Sequence, residues 1–422
     1  DRYYVPVTAS AEAAPDAALA RVGGDAVVDA HDDPRFGRRV LAAIAATRSL
    51  PGRHGRFAFR PTPGWVFPAD PDSQPARRLT GEQSNTSVVV GDLVLKSLRR
   101  PPPGLNPDLE VTRFLTTRTA FPHVPRLAGW IEYAGAGEVA TLALLQEFVP
   151  NAGDGWTHVV STLTDRDGAV ERRPDPLLDD VRVLGAVTGG LHAALASGDA
   201  DPEFRPEPVD RDDVARWAGD IAREVGEDSI RSRLAGHVAP GADVPGRVAR
   251  TLAGLTAGAS ATMKIRVHGD YHLGQVLKTR AGFVVIDFEG EPARPLAERR
   301  LKQSALRDVA GMLRSLDYAA HAVAFGQPEA TRAVALAALT GWEERARDAF
   351  LDGYEEAVAA SPVLLVPSSP AELRRACAPF ELQKACYELR YELNNRPDWA
   401  PIPLAGIDRI VARLLERNGS TR

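Results

Sequence analysis

Short runs rich in β-branched residues dominate residues 76–150 and predict strands there. Residues 87–90 and 93–98 are two such runs, and the Gly91-Asp92 pair between them is typical of a two-residue hairpin turn. A helix is predicted at residues 107–119, followed by a second strand pair at residues 131–133 and 141–149. We therefore expect this segment to form a small β-rich lobe with one helix.

Apolar positions at helical spacing dominate residues 151–422. One interruption, at residues 264–291, has the pattern of a strand, a loop and a second strand. Helices are predicted at residues 179–196, 209–225, 243–256, 306–323, 331–360 and 370–394. This part of the chain is therefore expected to be a large helical lobe.

Residues 1–75 mix short apolar runs with proline and glycine. A helix is predicted at residues 39–49 and a strand at residues 64–67. We interpret this segment as an N-terminal cap. The predicted fold class is α+β, with a cap at residues 1–75, a small β-rich lobe at residues 76–150 and a helical C-terminal lobe at residues 151–422.

Composition narrows the class of protein. The chain has 51 basic and 56 acidic side chains and a net charge of -5, whereas nucleic-acid and membrane-surface proteins usually carry a basic excess. No apolar run reaches the roughly 18 residues of a transmembrane helix. Cys377 and Cys386 cannot make a disulfide framework, so we expect buried thiols in a reducing cytoplasm.

One segment carries a pattern suited to phosphoryl transfer. Residues 268–275 read HGDYHLGQ, and Asp287 follows in the apolar sequence VIDFE. Phosphoryl transfer from ATP requires a carboxylate at the acceptor hydroxyl, oxygen ligands for magnesium and a cation on the phosphates. Asp270 is predicted to be the catalytic carboxylate, and Gln275 and Asp287 are predicted to be the magnesium ligands. A plain turn followed by a capped strand is the alternative, and the combination of motifs disfavours it.

These motifs resemble the catalytic and metal loops of the aminoglycoside phosphotransferase and eukaryotic-protein-kinase-like superfamily, with Gln275 where many members have Asn. The sequences HGDYHLGQVL, DFEGEP (residues 287–292) and RDVAGMLRS (residues 307–315) closely resemble those of actinobacterial maltokinases. The C-terminal YE, YE and NRPDWAPIPL segments within residues 387–404 do so as well. The resemblance, from about residue 80 to the end, implies a bilobal protein-kinase-like fold with ATP and Mg²⁺ as cofactors.

The resemblance also implies a nucleotide site in the small lobe. Lys96 on the second hairpin strand and Glu110 at the start of the following helix match the kinase pair that holds the phosphates. The backbone at Gln146 and Phe148 resembles the hinge that binds adenine. The nucleotide-covering loop is predicted to use Ser84, Asn85 and Thr86.

A sugar acceptor is likewise implied. Glu388 and Glu392 fall at i and i+4 of one predicted helix and so share a face; a helix packing by its tyrosines with solvated glutamates is the alternative. Asp308 and Arg307 are expected to form a buried pair that stiffens the catalytic loop. The predicted substrate contacts are His272, Glu289, Tyr387, Glu388, Glu392, Asp398 and Trp399.

Departures from the maltokinase pattern bear on which sugar is used. They lie at residues 301–305 and 380–384, close to the expected sugar pocket. The maltokinase-like subgroup that the chain resembles also includes kinases of amino sugars such as glucosamine, which phosphorylate the 6-hydroxyl. Because an acidic pocket suits a protonated amine, this resemblance favours glucosamine as the substrate, with glucosamine 6-phosphate as the product. The alternatives are a maltokinase making maltose 1-phosphate, an aminoglycoside antibiotic phosphotransferase and a nucleotide-binding pseudokinase. We expect a monomer or weak dimer without nucleic-acid or membrane partners.

Overall fold

The structure is a computed structural model that describes residues 2–10, 17–79, 85–135, 137–164, 170, 176–227, 230–232, 243–256 and 261–415. Within those ranges, none of the helices has the length and apolar character needed to span a membrane. The chain divides into two compact units. The first comprises Asp1–Pro150 with Asp287–Arg299, and the second comprises Asn151–Ile286 with Arg300–Arg422.

The strands of the described residues are numbered in chain order. They are β1 (Val7–Ser10), β2 (Ala20–Val22), β3 (Asp25–Asp29), β4 (Ser49–Gly52), β5 (Gly55–Pro61), β6 (Ala76–Arg78), β7 (Asn85–Val90), β8 (Leu93–Leu98), β9 (Leu127–Gly135), β10 (Glu138–Glu147), β11 (Glu207–Pro208), β12 (Met263–Lys264), β13 (Val276–Thr279) and β14 (Gly282–Val285).

The helices of the described residues are numbered in the same way. They are α1 (Pro34–Ala45), α2 (Pro107–Arg118), α3 (Gly155–Leu163), α4 (Pro176–Leu195), α5 (Arg211–Gly226), α6 (Val244–Ala253), α7 (Leu296–Arg299), α8 (Leu306–Phe325), α9 (Glu329–Val358), α10 (Pro370–Asn395) and α11 (Pro401–Leu415).

A seven-stranded antiparallel sheet carries the core of the first unit. Its strand order is β4-β5-β9-β10-β8-β7-β6. Leu95 of β8 packs with Leu41 and Ile44 of α1 in one fully buried apolar cluster, and each such side chain contributes roughly 1.5–3 kcal/mol on burial. Strands from the segment predicted as a cap and from the predicted small lobe therefore share one sheet.

The predicted hairpin is confirmed as β7 and β8. Their register pairs Val90 with Leu93 and leaves Gly91 and Asp92 as the turn. Gly91 has a φ of 58°, a left-handed conformation that glycine adopts without a Cβ clash. The hairpin matters for the site because Asn85 begins β7 and Lys96 lies on β8.

Two predictions near the N-terminus are wrong in detail. The helix predicted at residues 39–49 begins at Pro34, because the Asp33 carboxylate caps it by accepting a hydrogen bond from Arg35 N at 2.9 Å. No strand lies at residues 64–67, a stretch that the structure describes in full. Gly64 has a φ of 78°, and the prolines on either side of this stretch cannot donate to a strand ladder.

The second unit is mostly helical, as predicted. The six helices predicted in residues 151–422 are confirmed as α4, α5, α6, α8, α9 and α10. Helices α4 and α9 approach closely at Gly185, where a Cβ would lie 2.0 Å from the Phe350 carbonyl oxygen. The strand predicted at residues 264–267 shortens to β12, and Ile265 adds an isolated bridge to Gln303.

Candidate active site

Helix α8 holds the loop that follows β12. Asp308 near its start accepts hydrogen bonds from the backbone N–H groups of His268 at 2.7 Å and Gly269 at 2.9 Å. One helical turn later, a Cβ at Gly311 would lie 2.5 Å from the Tyr271 carbonyl oxygen. Ser315 Oγ then accepts from Leu273 N at 3.1 Å. The loop is therefore fixed along its whole length by one buried helix.

Asp308 is a fully buried carboxylate, and both of its oxygens have hydrogen-bond partners. His192 Nε2 lies 3.2 Å from its Oδ2, and His192 Nδ1 lies 2.9 Å from the Tyr354 hydroxyl. Burial opposes ionisation of Asp308, but the hydrogen bond and charge of His192 outweigh it and hold the pKa of this carboxyl below its ordinary value. Arg307, its expected partner, places its guanidinium 6.0 Å from the Phe380 ring.

Asp270, the predicted catalytic carboxylate, lies on this loop directly after Gly269, whose φ is 84°. Its Oδ1 accepts a hydrogen bond from Lys384 Nζ of α10 at 3.0 Å. Burial opposes ionisation of Asp270, but the charge of Lys384 and the nearby His272 outweigh it and lower the pKa of the carboxyl. Asp270 is thus a carboxylate at neutral pH, as a general base requires.

Lys384 was absent from the predicted site residues. It lies in the FELQK segment, residues 380–384, which is one of the two departures from the maltokinase pattern. Lys384 matches the maltokinase pattern, as Glu381 and Leu382 of the same segment do, so the match does not single it out. The contact joins residues 114 positions apart in the chain, so spacing alone could not have paired them.

Gln275, a predicted magnesium ligand, ends a short 3-10 helix spanning Leu273–Gln275. His272 caps this turn, because its Nδ1 accepts from Gly274 N at 3.0 Å. The Gln275 carbonyl accepts from Ile286 N at 3.0 Å, and His268 Nε2 lies 2.9 Å from the Ile286 carbonyl oxygen. These bonds fix the chain at the residue directly before Asp287. His272, a predicted sugar contact, has a local structural role here.

In the first unit, three carboxylates converge on Lys96. Its Nζ lies 2.6 Å from Asp287, 2.9 Å from Asp108 and 2.9 Å from Glu289. Burial disfavours the charged lysine, but the three carboxylates outweigh it and raise the pKa of Lys96 well above its ordinary value. Asp287 itself has a φ of 65°, an uncommon conformation for an aspartate and one found at functional sites.

The helix carboxylate that pairs with Lys96 is Asp108, whereas the sequence pattern had indicated Glu110. Asn106 caps α2 and accepts from Asp108 N at 2.8 Å, which directs the first turn. Residues two positions apart on a helix point in different directions, and the hydrogen bond from Lys96 goes to Asp108 at 2.9 Å. Asp108 Oδ1 also accepts from Phe288 N at 3.2 Å, which links α2 to the segment that carries Asp287.

The remaining nucleotide candidates divide into two groups. Ser84 lies outside the described residues, whereas Asn85 Nδ2 donates to Glu289 Oε1 at 3.0 Å. Thr86 Oγ1 accepts from Arg99 Nε at 2.8 Å. At the predicted hinge, Gln146 Nε2 lies 3.5 Å from Thr112 Oγ1 and Phe148 N donates to the Asp92 carbonyl at 2.8 Å. Asn85 therefore joins the Lys96 cluster through Glu289. Thr86, Gln146 and Phe148 instead contact other residues of the first unit.

Glu388, a predicted sugar contact, is bound by an arginine. Arg314 of α8 donates to Glu388 Oε2 from Nη2 at 2.6 Å and from Nε at 3.2 Å. Burial raises the pKa of Glu388, and Arg314 opposes that shift. Arg314 also donates to Asp317, which in turn accepts from Arg409 of α11. Glu388 is thus one end of a buried ionic network that ties α8, α10 and α11 together.

Glu392 and Trp399 form a second group, in which both residues contact Tyr318 and Arg396. Glu392 accepts from the Tyr318 hydroxyl at 2.5 Å and from Arg396 at 2.6 and 2.9 Å. Trp399 lies nearly parallel to Tyr318 with ring centroids 6.3 Å apart, and the Arg396 guanidinium lies 4.6 Å from its centroid. A sugar stacking on that face of Trp399 would have to displace Arg396. Asp398 beside it is exposed.

Tyr387 is the predicted sugar contact that lies beside Lys384. Lys384 Nζ lies 5.0 Å from its ring centroid, and the Arg390 guanidinium lies 5.5 Å from it.

The departure at Lys302 has a structural explanation, because Lys302 Nζ donates to Glu207 at 2.5 Å and to the Pro202 carbonyl at 2.7 Å.

Comparison with known proteins identifies the family of this chain. The model of the phosphotransferase enzyme family matches residues 75–290. The chain belongs to this family. The match spans the Lys96 cluster and the loop of Asp270. The predicted superfamily and the predicted phosphotransferase activity are therefore confirmed.

Curated relatives and solved structures agree with this assignment. A glucosamine kinase of Streptacidiphilus jiangxiensis is 30% identical over 78% of this chain and 71% of its own. A glucosamine kinase of Mycolicibacterium smegmatis (strain ATCC 700084 / mc(2)155) is 30% identical over 90% of this chain and 88% of its own. A solved glucosamine kinase in complex with glucosamine, ADP and inorganic phosphate is 26% identical with a TM-score of 0.68, covering 98% of this chain and 88% of that chain. The predicted α+β, kinase-like fold class is confirmed.

Proposed function

We propose that this phosphotransferase is an ATP- and magnesium-dependent glucosamine kinase that makes glucosamine 6-phosphate. The observation that carries the proposal is the similarity, over most of the chain, to proteins named glucosamine kinase. The ionised Asp270 on a rigid loop and the Lys96 cluster supply the chemistry that this reaction requires.

Asp270 acts on the acceptor hydroxyl. As a carboxylate it orients that hydroxyl and accepts its proton while the hydroxyl oxygen attacks the γ-phosphorus of ATP. The bond from the γ-phosphorus to its bridging oxygen breaks, and ADP leaves. Asp308 and α8 contribute by keeping the loop in one geometry, since positioning accounts for most of the catalysis in phosphoryl transfer.

The Lys96 cluster suits a nucleotide with its metal. Asp108, Asp287 and Glu289 place carboxylate oxygens within 4.8 Å of one another, and such hard oxygens are the ligands that Mg²⁺ prefers. Their convergence on the Lys96 ammonium supports this proposal, because a cluster that attracts one cation also suits another. Mg²⁺, when bound, neutralises charge on the phosphates. Gln275 stays a predicted amide ligand.

The amine of glucosamine needs an acidic or acceptor group. Glu388 and Glu392 each already pair with an arginine, so neither offers a free carboxylate without rearrangement. Asp398 is exposed and is the acidic side chain of the predicted set that we propose for the amine. A charge-assisted hydrogen bond contributes roughly 1.5–3 kcal/mol, which corresponds to about a ten- to hundredfold preference over glucose.

The experiment is a sugar panel with ATP and Mg²⁺, read by ADP release. We expect the highest kcat/KM for glucosamine, a lower value for glucose and poor turnover of N-acetylglucosamine, because acetylation removes the charge and adds bulk. Asp398→Asn should lower the preference for glucosamine over glucose, and Asp212→Asn is the matched control, because Asp212 is also an exposed aspartate in the first turn of a helix, α5. A higher kcat/KM for maltose would overturn the proposal.

A further inference from the structure

Lys384 is the side chain that α10 presents to the catalytic loop. It lies in the middle of this 26-residue helix and reaches Asp270 Oδ1 with its Nζ at 3.0 Å. Both side chains are largely shielded from solvent, Lys384 being 24% and Asp270 19% exposed. Ion pairs in such surroundings are screened by solvent much less than surface pairs.

Among the described residues, His268 and His272 are two further titratable groups that act on Asp270, and each has its own hydrogen-bond partner. His268 Nε2 lies 2.9 Å from the Ile286 carbonyl, and His272 Nδ1 accepts from Gly274 N. Both histidines interact with Asp270 electrostatically, but they belong to the same loop and are held by it. Lys384 comes from a separate helix, where its ammonium also lies near the Tyr387 ring.

We propose that Lys384 is a positioning residue for phosphoryl transfer, whose ammonium keeps the Asp270 carboxylate ionised and in one orientation until the acceptor hydroxyl binds. The inference rests on the proposed function, since it assigns a task to a residue beside the proposed catalytic base. A shielded carboxylate without a partner gains a proton more readily than a solvated one. A protonated Asp270 could not accept the proton of the hydroxyl.

The geometry indicates where the effect of Lys384 should be measured. An opposite charge within about 4–6 Å lowers a carboxyl pKa by roughly 1–3 units, so removing Lys384 should move the acidic limb of kcat/KM to higher pH by that amount. The loss of activity should be large at low pH and small at high pH. A group that served only packing would change the height of the profile and leave its limb in place.

The test compares Lys384→Met, Lys384→Arg and Lys302→Met with the wild type. The methionine variant keeps the apolar stem, and the arginine variant keeps the charge. Lys302→Met removes a lysine of the same unit that pairs with Glu207. We expect the acidic limb to shift in Lys384→Met, to be largely restored in Lys384→Arg and to be unchanged in Lys302→Met, with the KM for ATP similar in all. The ionisation of ATP and of the sugar is the same in the assays of all four proteins, so it cannot cause a difference between their acidic limbs.

An unmoved limb in Lys384→Met, whether its activity falls uniformly or stays the same, would overturn the inference. If the wild type used another sugar, the proposed substrate would fail, and the same profiles recorded with that sugar would still test Lys384. Titration of ¹³C-labelled aspartate carboxyl groups by NMR, with Asp270→Asn to assign the signal, measures the pKa of Asp270 without turnover. An equal pKa in wild type and Lys384→Met would also overturn it.

Discussion

The ammonium of Lys96 lies 2.6 Å from the carboxylate of Asp287. The two residues are 191 positions apart in the chain, and they meet because the segment that begins at Asp287 packs with the seven-stranded sheet in one compact unit. Asp287, which is predicted to bind the metal, is therefore part of the same unit as Lys96, which is predicted to bind the phosphates.

Lys96→Met should weaken productive ATP binding and leave glucosamine binding nearly unchanged. Loss of a charge-assisted hydrogen bond to the phosphates costs roughly 1.5–3 kcal/mol, so the KM for ATP should rise about ten- to hundredfold. Steady-state kinetics with each substrate varied in turn measures this. An equal rise in both KM values would instead indicate that Lys96 supports the fold, and a thermal melt of the variant checks that reading.

Asp108→Asn should raise the KM for ATP more than Glu110→Gln does. Asp108 contacts Lys96 directly and also accepts from Phe288 N, whereas Glu110 lies two residues later on α2. Both side chains are buried, so the two variants are matched in burial and in the change they make. The larger effect in Glu110→Gln would restore the pairing that the sequence pattern had indicated.

Asp287→Ala should abolish turnover at ordinary magnesium concentrations. The substitution removes one carboxylate that is both a predicted oxygen ligand of Mg²⁺ and an ion-pair partner of Lys96. Gln275→Ala should raise the magnesium requirement more than it changes the KM for glucosamine. Magnesium titrations of initial rate at saturating ATP measure both. Titration curves identical to that of the wild type for the two variants would contradict their assignment as ligands.

The sequence predicted elements well where local chemistry decides them. The β7–β8 hairpin follows from Gly91 and its flanking strands, and the helices of the second unit follow from their periodicity. The strand predicted at residues 64–67 is wrong. Apolar residues suggested it, but Gly64 and the flanking prolines keep this stretch of backbone out of the hydrogen-bond ladder of a sheet. Helix α1 began earlier than periodicity indicated because Asp33 caps it.

Site residues were predictable where a motif fixes them and were missed where only packing does. The loop with Asp270 has a recognisable sequence, but the choice between Asp108 and Glu110 depends on which way the first turn of α2 faces. Lys384 depends on α10 lying against the catalytic loop, which no local pattern encodes. Glu388 and Glu392 were identified as one face of a helix, yet their partners Arg314 and Arg396 could not be.

Asp308→Asn should lower the free energy of unfolding at neutral pH. It should also weaken the dependence of that free energy on pH in the acid range. The folded pKa of Asp308 is lowered, so its stabilisation is present above the unfolded aspartate pKa of about 3.9 and is lost as pH falls through the folded value. Because a buried carboxylate that accepts hydrogen bonds from two backbone N–H groups is replaced by an amide, we expect a loss of about 1–3 kcal/mol at neutral pH. Urea unfolding of both proteins at several pH values measures this. A difference that did not shrink below about pH 4 would contradict it.

The most direct test of the account identifies the product by NMR after incubation of the protein with glucosamine, ATP and Mg²⁺. We predict phosphorus coupled to the C6 carbon and protons of glucosamine, formed in proportion to the ADP released. Asp270→Asn should form this product at least about a hundredfold more slowly, because an amide cannot accept the hydroxyl proton. Phosphate on another atom, no sugar phosphate at all, or product formation by Asp270→Asn within tenfold of the wild-type rate would contradict the account.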